Sequence, residues 1–187
     1  MNTFQDKLDI AILNSNESIL NNIKNDIKKY SISIVDLVTQ GSLSQYLQKI
    51  SNHEMKIDLN FSSTKTNMLY HFLNTPAEIL QKNDNKKITN HLLTYLPKKI
   101  FSDILIILLS QPIKNNLGLK TISLSIGLKI LHTKKFKQLK ISGHSSTIPG
   151  KINNIMMYLL NQNILMNKNK KNKEHNMNEN KGKALEF

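Results

Sequence analysis

The chain has 187 residues, with 26 basic residues that are all lysine, 13 acids, no cysteine and a formal net charge of +13. The missing cysteine excludes disulfide frameworks, Cys-based zinc sites and thiol catalysis, and a hydrophobic fraction of 39% is enough for one core of ordinary size. The longest apolar run, Ile104 to Leu109, is too short to cross a bilayer, and Met1–Lys7 contains no run of signal-peptide type. An intracellular chain, cytoplasmic or nuclear, with no transmembrane segment is therefore expected.

Leu8–Leu13 reads as a short strand. Ser15 or Asn16 then caps a helix with Ile19, Leu20, Ile23, Ile27 and Tyr30 on one face. Ile32, Ile34 and their neighbours give a second strand, and Gly41 breaks the chain before a helix carrying Leu43, Tyr46, Leu47 and Ile50. Met55, Ile57, Leu59 and Phe61 alternate with polar residues, as in a half-buried strand. Met68–Leu73 is helical in pattern, and Thr75-Pro76-Ala77-Glu78 has the form of another helix start. Polar breaks at Asn83–Lys87 and Pro97–Lys99 bracket a helix through Ile88, Leu92, Leu93 and Leu96.

Ile104–Leu109 then reads as a strand buried on both faces. The stretch Leu117–Leu131 mixes alternating and helical spacing, and its length favours a helix although Gly118 and Gly127 weaken it. Phe136, Leu139 and Ile141 mark a strand, Gly143-His144-Ser145-Ser146 a turn, and apolar residues from Ile148 to Leu160 a firm amphipathic helix. From Asn167 the chain is rich in Lys and Asn and is expected to be disordered. The expected fold is α+β: a short mixed sheet with helices packed on it, then a basic tail. Its divisions are residues 1–95, as a subdomain or as part of one domain, a basic region 96–166, and the tail 167–187.

Charge is distributed unevenly along that order. Residues 104–173 carry twelve lysines and no acid, whereas residues 1–103 are nearly balanced. An uncompensated cationic stretch repels itself and gains most from a polyanion, with an acidic membrane surface as the second partner to consider. Without arginine there is no bidentate grip on guanine, so lysines would serve as point charges on phosphates.

One segment has motif-like content. Lys140–Asn153 reads as a strand, a glycine turn and a helix whose first turn carries hydroxyls, with Ser146 or Thr147 as cap. Free N–H groups at such a helix start form an anion site, flanked here by Lys140 and Lys151. Ile141, Gly143, Ile148, Ile152 and Asn153, with Asp103–Leu109 and Gln111–Asn115 upstream, resemble the Alba family of nucleic-acid-binding proteins, including the Alba-type subunits of ribonuclease P and MRP. The chain departs from that family at Ser110, Gln111, Ser145 and Lys151, and lacks a final hairpin after the helix. The resemblance implies a non-catalytic nucleic-acid-binding protein, possible as a ribonucleoprotein subunit or homodimer, that takes RNA or DNA. Its expected contacts are Lys114, Lys134, Lys135, Lys137, Lys140, Gly143, His144, Ser145, Ser146 and Lys151.

Catalysis has weaker signals. The six histidines are scattered without zinc-ligand spacing, and His144 beside Ser145 is a common adjacency. Asp6, Asp9, Asp36 and Asp58 could in principle meet at strand ends, but their spacing is also that of solvated strand termini, which is the reading expected. No catalytic residue, metal or cofactor is expected. Two other readings stand beside nucleic-acid binding: an enzyme or sensor holding a small phosphorylated ligand at Gly143–Thr147, and an interaction subunit of a secretion or motility assembly.

Overall fold

The computed structural model describes residues 21, 23–81, 84–116 and 119–183. Five strands, β1 (Ser31–Asp36), β2 (Lys56–Ser62), β3 (Ile104–Asn116), β4 (Leu119–Ile130) and β5 (Thr133–His144), form one mixed sheet in the order β2-β1-β3-β4-β5. β1 runs parallel to both its neighbours, and β3, β4 and β5 form an antiparallel meander. The described helices are α1 (Ser42–Ile50), α2 (Met68–Leu73), α3 (Ala77–Gln81), α4 (Asn85–Tyr95) and α5 (Ile148–Lys183), with a 3-10 turn at Leu96–Lys98. The α+β class read from the sequence is the one observed.

The sheet has an apolar cluster on each face because the central strand β3 is apolar at every position from Ile104 to Leu109 and so feeds both sides. On one face Ile32, Ile34, Ile106 and the even residues of β4 pack against α1, α5 and Ile23 and Ile27 of the helical residues 23–27. On the other, Val35, Leu105, Ile107 and Leu109 meet Leu69 and Leu73 of α2 and Ile88, Leu92 and Leu93 of α4. Strands covered twice need near-continuous hydrophobic runs, which Ile104–Leu109 supplies.

Three expectations need correction. Leu119–Ile130 is a strand, not a helix: Ile122, Leu124, Ile126, Leu128 and Ile130 alternate strictly into one cluster. Gly127, which weakens a helix, is required in this strand by α4. A Cβ there would lie 2.5 Å from Thr89 Cγ2 and 3.3 Å from Ile107 Cβ. The break expected at Asn83–Lys87 ends at Asp84, whose side chain accepts from Lys87 N at 3.1 Å and caps α4. Residues 167–183, expected to be disordered, continue α5 as helix. The strand expected at Leu8–Leu13 lies outside the described residues.

Candidate ligand-binding cleft

Asp36 ends β1 with no exposed surface, and its carboxylate shapes the loop that follows. It accepts from the backbone N–H of Val38 at 2.9 Å, Thr39 at 2.7 Å and Gly41 at 3.1 Å, and from the Thr39 hydroxyl. A buried carboxylate needs such a set of donors to offset its desolvation. The Thr39 hydroxyl in turn accepts from Leu43 N at 3.2 Å and so secures the start of α1. The tight reversal puts Gln40 at φ 55° and Gly41 at φ 86°. Glycine takes the second of these without a Cβ penalty. Asp36 is therefore neither a solvated terminus nor near Asp58. Asp58 lies toward the other end of the sheet, where β1 pairs with the start of β2. Burial acts to raise the Asp58 carboxyl, but hydrogen bonds from Ser31, Lys56 and Ser102 and the Lys56 charge hold it below the usual carboxylate value.

Above this loop is an open cavity of about 400 Å³. Its position follows from the topology. From β1 the chain passes through α1 on one face to β2, then through α2–α4 on the opposite face to β3 on β1's other side. The crevice beyond the carboxyl end of β1, beside β3, is where open α/β sheets bind ligands. Its walls include the Leu37–Gln40 loop, Ser110 and Pro112 of β3, Lys120 of β4, Asn85 at the start of α4, and Ser145, Ile148 and Pro149 at the start of α5.

The polar lining is rich in donors. Asn85 is 7% exposed, and its Nδ2 is buried with no hydrogen-bond partner among the described residues. Such a group is costly to leave unpaired, by roughly 1–3 kcal/mol. Lys120 is half-buried, pairs with Gly143 across the strands, and has no ion pair with a described carboxylate. The first turns of α4 and α5 add the positive ends of two helix dipoles. Among the described residues the lining contains no carboxylate, imidazole or thiol.

The residues singled out from the sequence are dispersed by the fold. On β5, Lys135 and Lys137 project toward the α5 side, with Lys135 Nζ 3.7 Å from Met166 Sδ, whereas Lys134 and Lys140 alternate to the opposite face. Lys114 is paired through its backbone with Thr121 in the β3–β4 hairpin. Gly143 and His144 belong to β5, opposite Lys120 and Leu119, and Gly143 does not have the positive φ of a turn glycine. The turn begins after them, and the His144 carbonyl accepts from both Thr147 N and the Thr147 hydroxyl. Ser146 is exposed outside the cleft, and Lys151 Nζ donates to the Ser142 carbonyl at 2.9 Å. Lys114 aside, whose side chain lies outside the described ones, only Ser145 of the ten lines the cavity. Lys120 and Asn85 were missed. Lys120 was legible only if 119–130 was read as a strand, because register then places it opposite Gly143.

Comparison with known proteins bears on the same question. No family model matches the sequence, and no curated protein matches it. Solved structures do. A competence or damage-inducible protein from Enterobacter asburiae superposes with a TM-score of 0.64 at 13% identity, covering 78% of this chain and 96% of that one. A competence-damaged protein (CinA) superfamily protein from Enterobacter cloacae gives 0.64 at 12% identity, covering 78% and 90%. The competence/damage inducible protein CihA from Agrobacterium tumefaciens gives 0.56 at 12%, covering 77% and 92%. The fold is similar to that of CinA superfamily proteins. The Alba resemblance is thereby overturned, and with it the nucleic-acid-binding ribonucleoprotein function it implied. The physical reason is visible in the sheet. The stretch 119–130, expected as a helix, is strand β4 paired antiparallel with β3, and among the described residues β1 and β2 of the first half run parallel and so cannot supply the missing final hairpin. The β5 lysines divide between two faces and form no single phosphate-binding surface.

Proposed function

We propose that this protein is a small-molecule-binding domain whose cleft beyond the carboxyl end of β1 takes a small anionic ligand, such as a phosphate ester or a carboxylate. The observation that carries the reading is Asn85, a nine-tenths-buried amide with an unpaired donor at the wall of a 400 Å³ cavity. Lys120 and the start of α5 supply positive potential on the other side, and no acid among the described lining residues opposes it. A cavity of this size suits a metabolite and not a polymer. Asp36 holds the floor of the cleft without touching it, since its oxygens are engaged by the loop backbone. Among the described lining residues only Lys120 carries an ionisable side chain, which supports binding as the role of the cleft.

The test is titration with inorganic phosphate, then with phosphate monoesters and carboxylates matched to their neutral analogues, followed by amide chemical shifts. Shifts should concentrate at Thr39–Gly41, Asn85, Lys120 and Ser145–Ile148. Lys120→Ala should weaken the best anion by about 10- to 100-fold, the scale of one charge-assisted hydrogen bond. Neutral analogues that bind as well as their anions, or a Lys120→Ala protein that binds unchanged, would refute the reading.

A further inference from the structure

The end of the sheet opposite the cleft has a different chemistry. After the 3-10 turn, Lys99 N and Ile100 N both donate to the Leu96 carbonyl, at 2.9 and 2.8 Å, and Ile100 tucks against the α4 cluster. Ser102 N then donates to the Ile100 carbonyl at 3.2 Å, closing a three-residue turn with Phe101 at its apex. Phe101 is 91% exposed, the most of any large apolar residue described. The turn is tied down on its far side. Ser102 bonds Ser33 through their hydroxyls, the Ser102 carbonyl accepts from Lys129 Nζ at 3.2 Å, and the Asp103 carboxylate accepts from Ser31 N at 2.9 Å. The Asp103 carbonyl also accepts from Leu131 N at 2.7 Å, which locks the β4–β5 turn beside it. A solitary exposed Phe on a loose loop would need no explanation. This one is held outward by backbone bonds on both sides.

Charge segregates around it. Lys28, Lys29 and Lys56, at the same end, are each paired with a carboxylate, Glu54, Asp26 and Asp58. Lys98, Lys99 and Lys134, nearer the ring, are exposed and make no ion pair with a described carboxylate. His132 and Lys134 share a shallow hollow with Ser102 and Asp103 alongside the Phe101 turn.

We infer that this end docks on an anionic lipid bilayer, with Phe101 inserting below the headgroups while Lys98, Lys99 and Lys134 sit among them. An acidic protein partner fits less well. The ring stands on a convex turn, so the partner must supply a yielding apolar phase beneath a negative surface. Lysines on flexible stems suit diffuse headgroup charge, whereas fork-shaped recognition of fixed carboxylates calls for the arginine this chain lacks. Each lysine near such a surface contributes about fivefold in affinity, and insertion of one aromatic ring about tenfold or more. The association is consequently weak and reversed by salt. Docked this way, the cleft faces the aqueous side. The inference does not depend on what the cleft binds.

The chain has no tryptophan, so Phe101→Trp places a sole indole reporter at the apex. With the full chain at low salt, its emission should shift to the blue on vesicles of equal parts phosphatidylcholine and phosphatidylserine, and not on phosphatidylcholine alone. Co-sedimentation with the mixed vesicles should fall about tenfold in Phe101→Ser and about fivefold in Lys99→Gln, with thermal midpoints unchanged. Sedimentation without a blue shift, or sedimentation that Phe101→Ser leaves intact, would mean that charge alone adheres and would overturn the insertion. Failure to sediment at low salt, equal binding to neutral vesicles, or an equal shift with soluble polyglutamate would each overturn the bilayer assignment.

Discussion

The two ends of the sheet are organised around one buried or half-buried aspartate each, and they leave opposite kinds of group unsatisfied. At the carboxyl end of β1, Asp36 is engaged by its own loop, yet among the described residues the walls above it keep an unpaired amide on Asn85 and a cation without a carboxylate partner on Lys120. At the amino end, Asp103 stitches β1 to β3 through Ser31, the loop backbone is bonded, and an apolar ring is left in water. Unpaired donors around a concavity call for a small polar ligand. An unburied ring on a convex turn calls for an apolar phase. The same sheet thus presents a wet recess and a greasy apex at its two poles.

The sharpest way to break this comparison is to remove the aspartate that builds the recess. Asp36→Ala would leave three backbone N–H groups and the Thr39 hydroxyl without their acceptor in a fully buried place. We expect a loss of about 3–5 kcal/mol in denaturant unfolding, with loss of ligand-induced shifts at Thr39–Gly41 and retention of the Phe101→Trp vesicle response in the folded fraction. A loss under about 1 kcal/mol would show that the loop does not need its carboxylate. Gly127→Ala acts between the poles, where the new Cβ meets Thr89 Cγ2 at 2.5 Å and Leu93 Cγ at 3.2 Å. It should cost about 1–3 kcal/mol through overpacking and leave both poles' binding constants unaltered, so it separates general destabilisation from local damage.

The smallest effect concerns acid. His91 stacks on Tyr95 with ring centroids 5.6 Å apart, its Nε2 is buried without a partner among the described residues, and burial lowers its pKa from the usual 6.5. Here the folded state favours the neutral ring. The associated stability is complete above pH 6.5 and declines as pH falls below that value toward the lowered pKa. Partial exposure keeps the loss well under about 1 kcal/mol. In His91→Phe, which keeps the stacking, thermal midpoints measured from pH 7 to 5 should fall less steeply than in the wild type; parallel curves would discard His91 as the source.

Much of the fold was legible because its signals are local. Leu43 and Leu47 on a helical period, the alternation from Met55 to Phe61, and the run Ile104–Leu109 each state their own structure. The strand 119–130 was misread because Gly127 and mixed spacing look alike in a weak helix and in a strand pressed by another element. Only α4, far off in sequence, distinguishes them. That one error concealed Lys120. Asn85 was illegible for a related reason: an asparagine just after a capping aspartate looks like part of a polar break, and its lack of a partner exists only in three dimensions. The lysines of β5 were conspicuous as a cluster in sequence, but alternation along a strand sends neighbours to opposite faces. Lysine along an exposed sheet edge also discourages edge-to-edge pairing, whatever its partners.

The placement of β1 between β2 and β3 governs the order in which the molecule can be assembled. The meander of β3, β4 and β5 closes through short turns and can zip up early, because little chain entropy is lost in each step. β1 must be threaded beside β3 by contacts as far apart as Ser31 and Asp103, 72 residues distant in sequence. On this order of events the recess at the tip of β1 is expected to form only when the long-range insertion is complete. A partly folded chain with an intact meander would lack the recess altogether, so a ligand of the kind proposed would bind finished molecules alone.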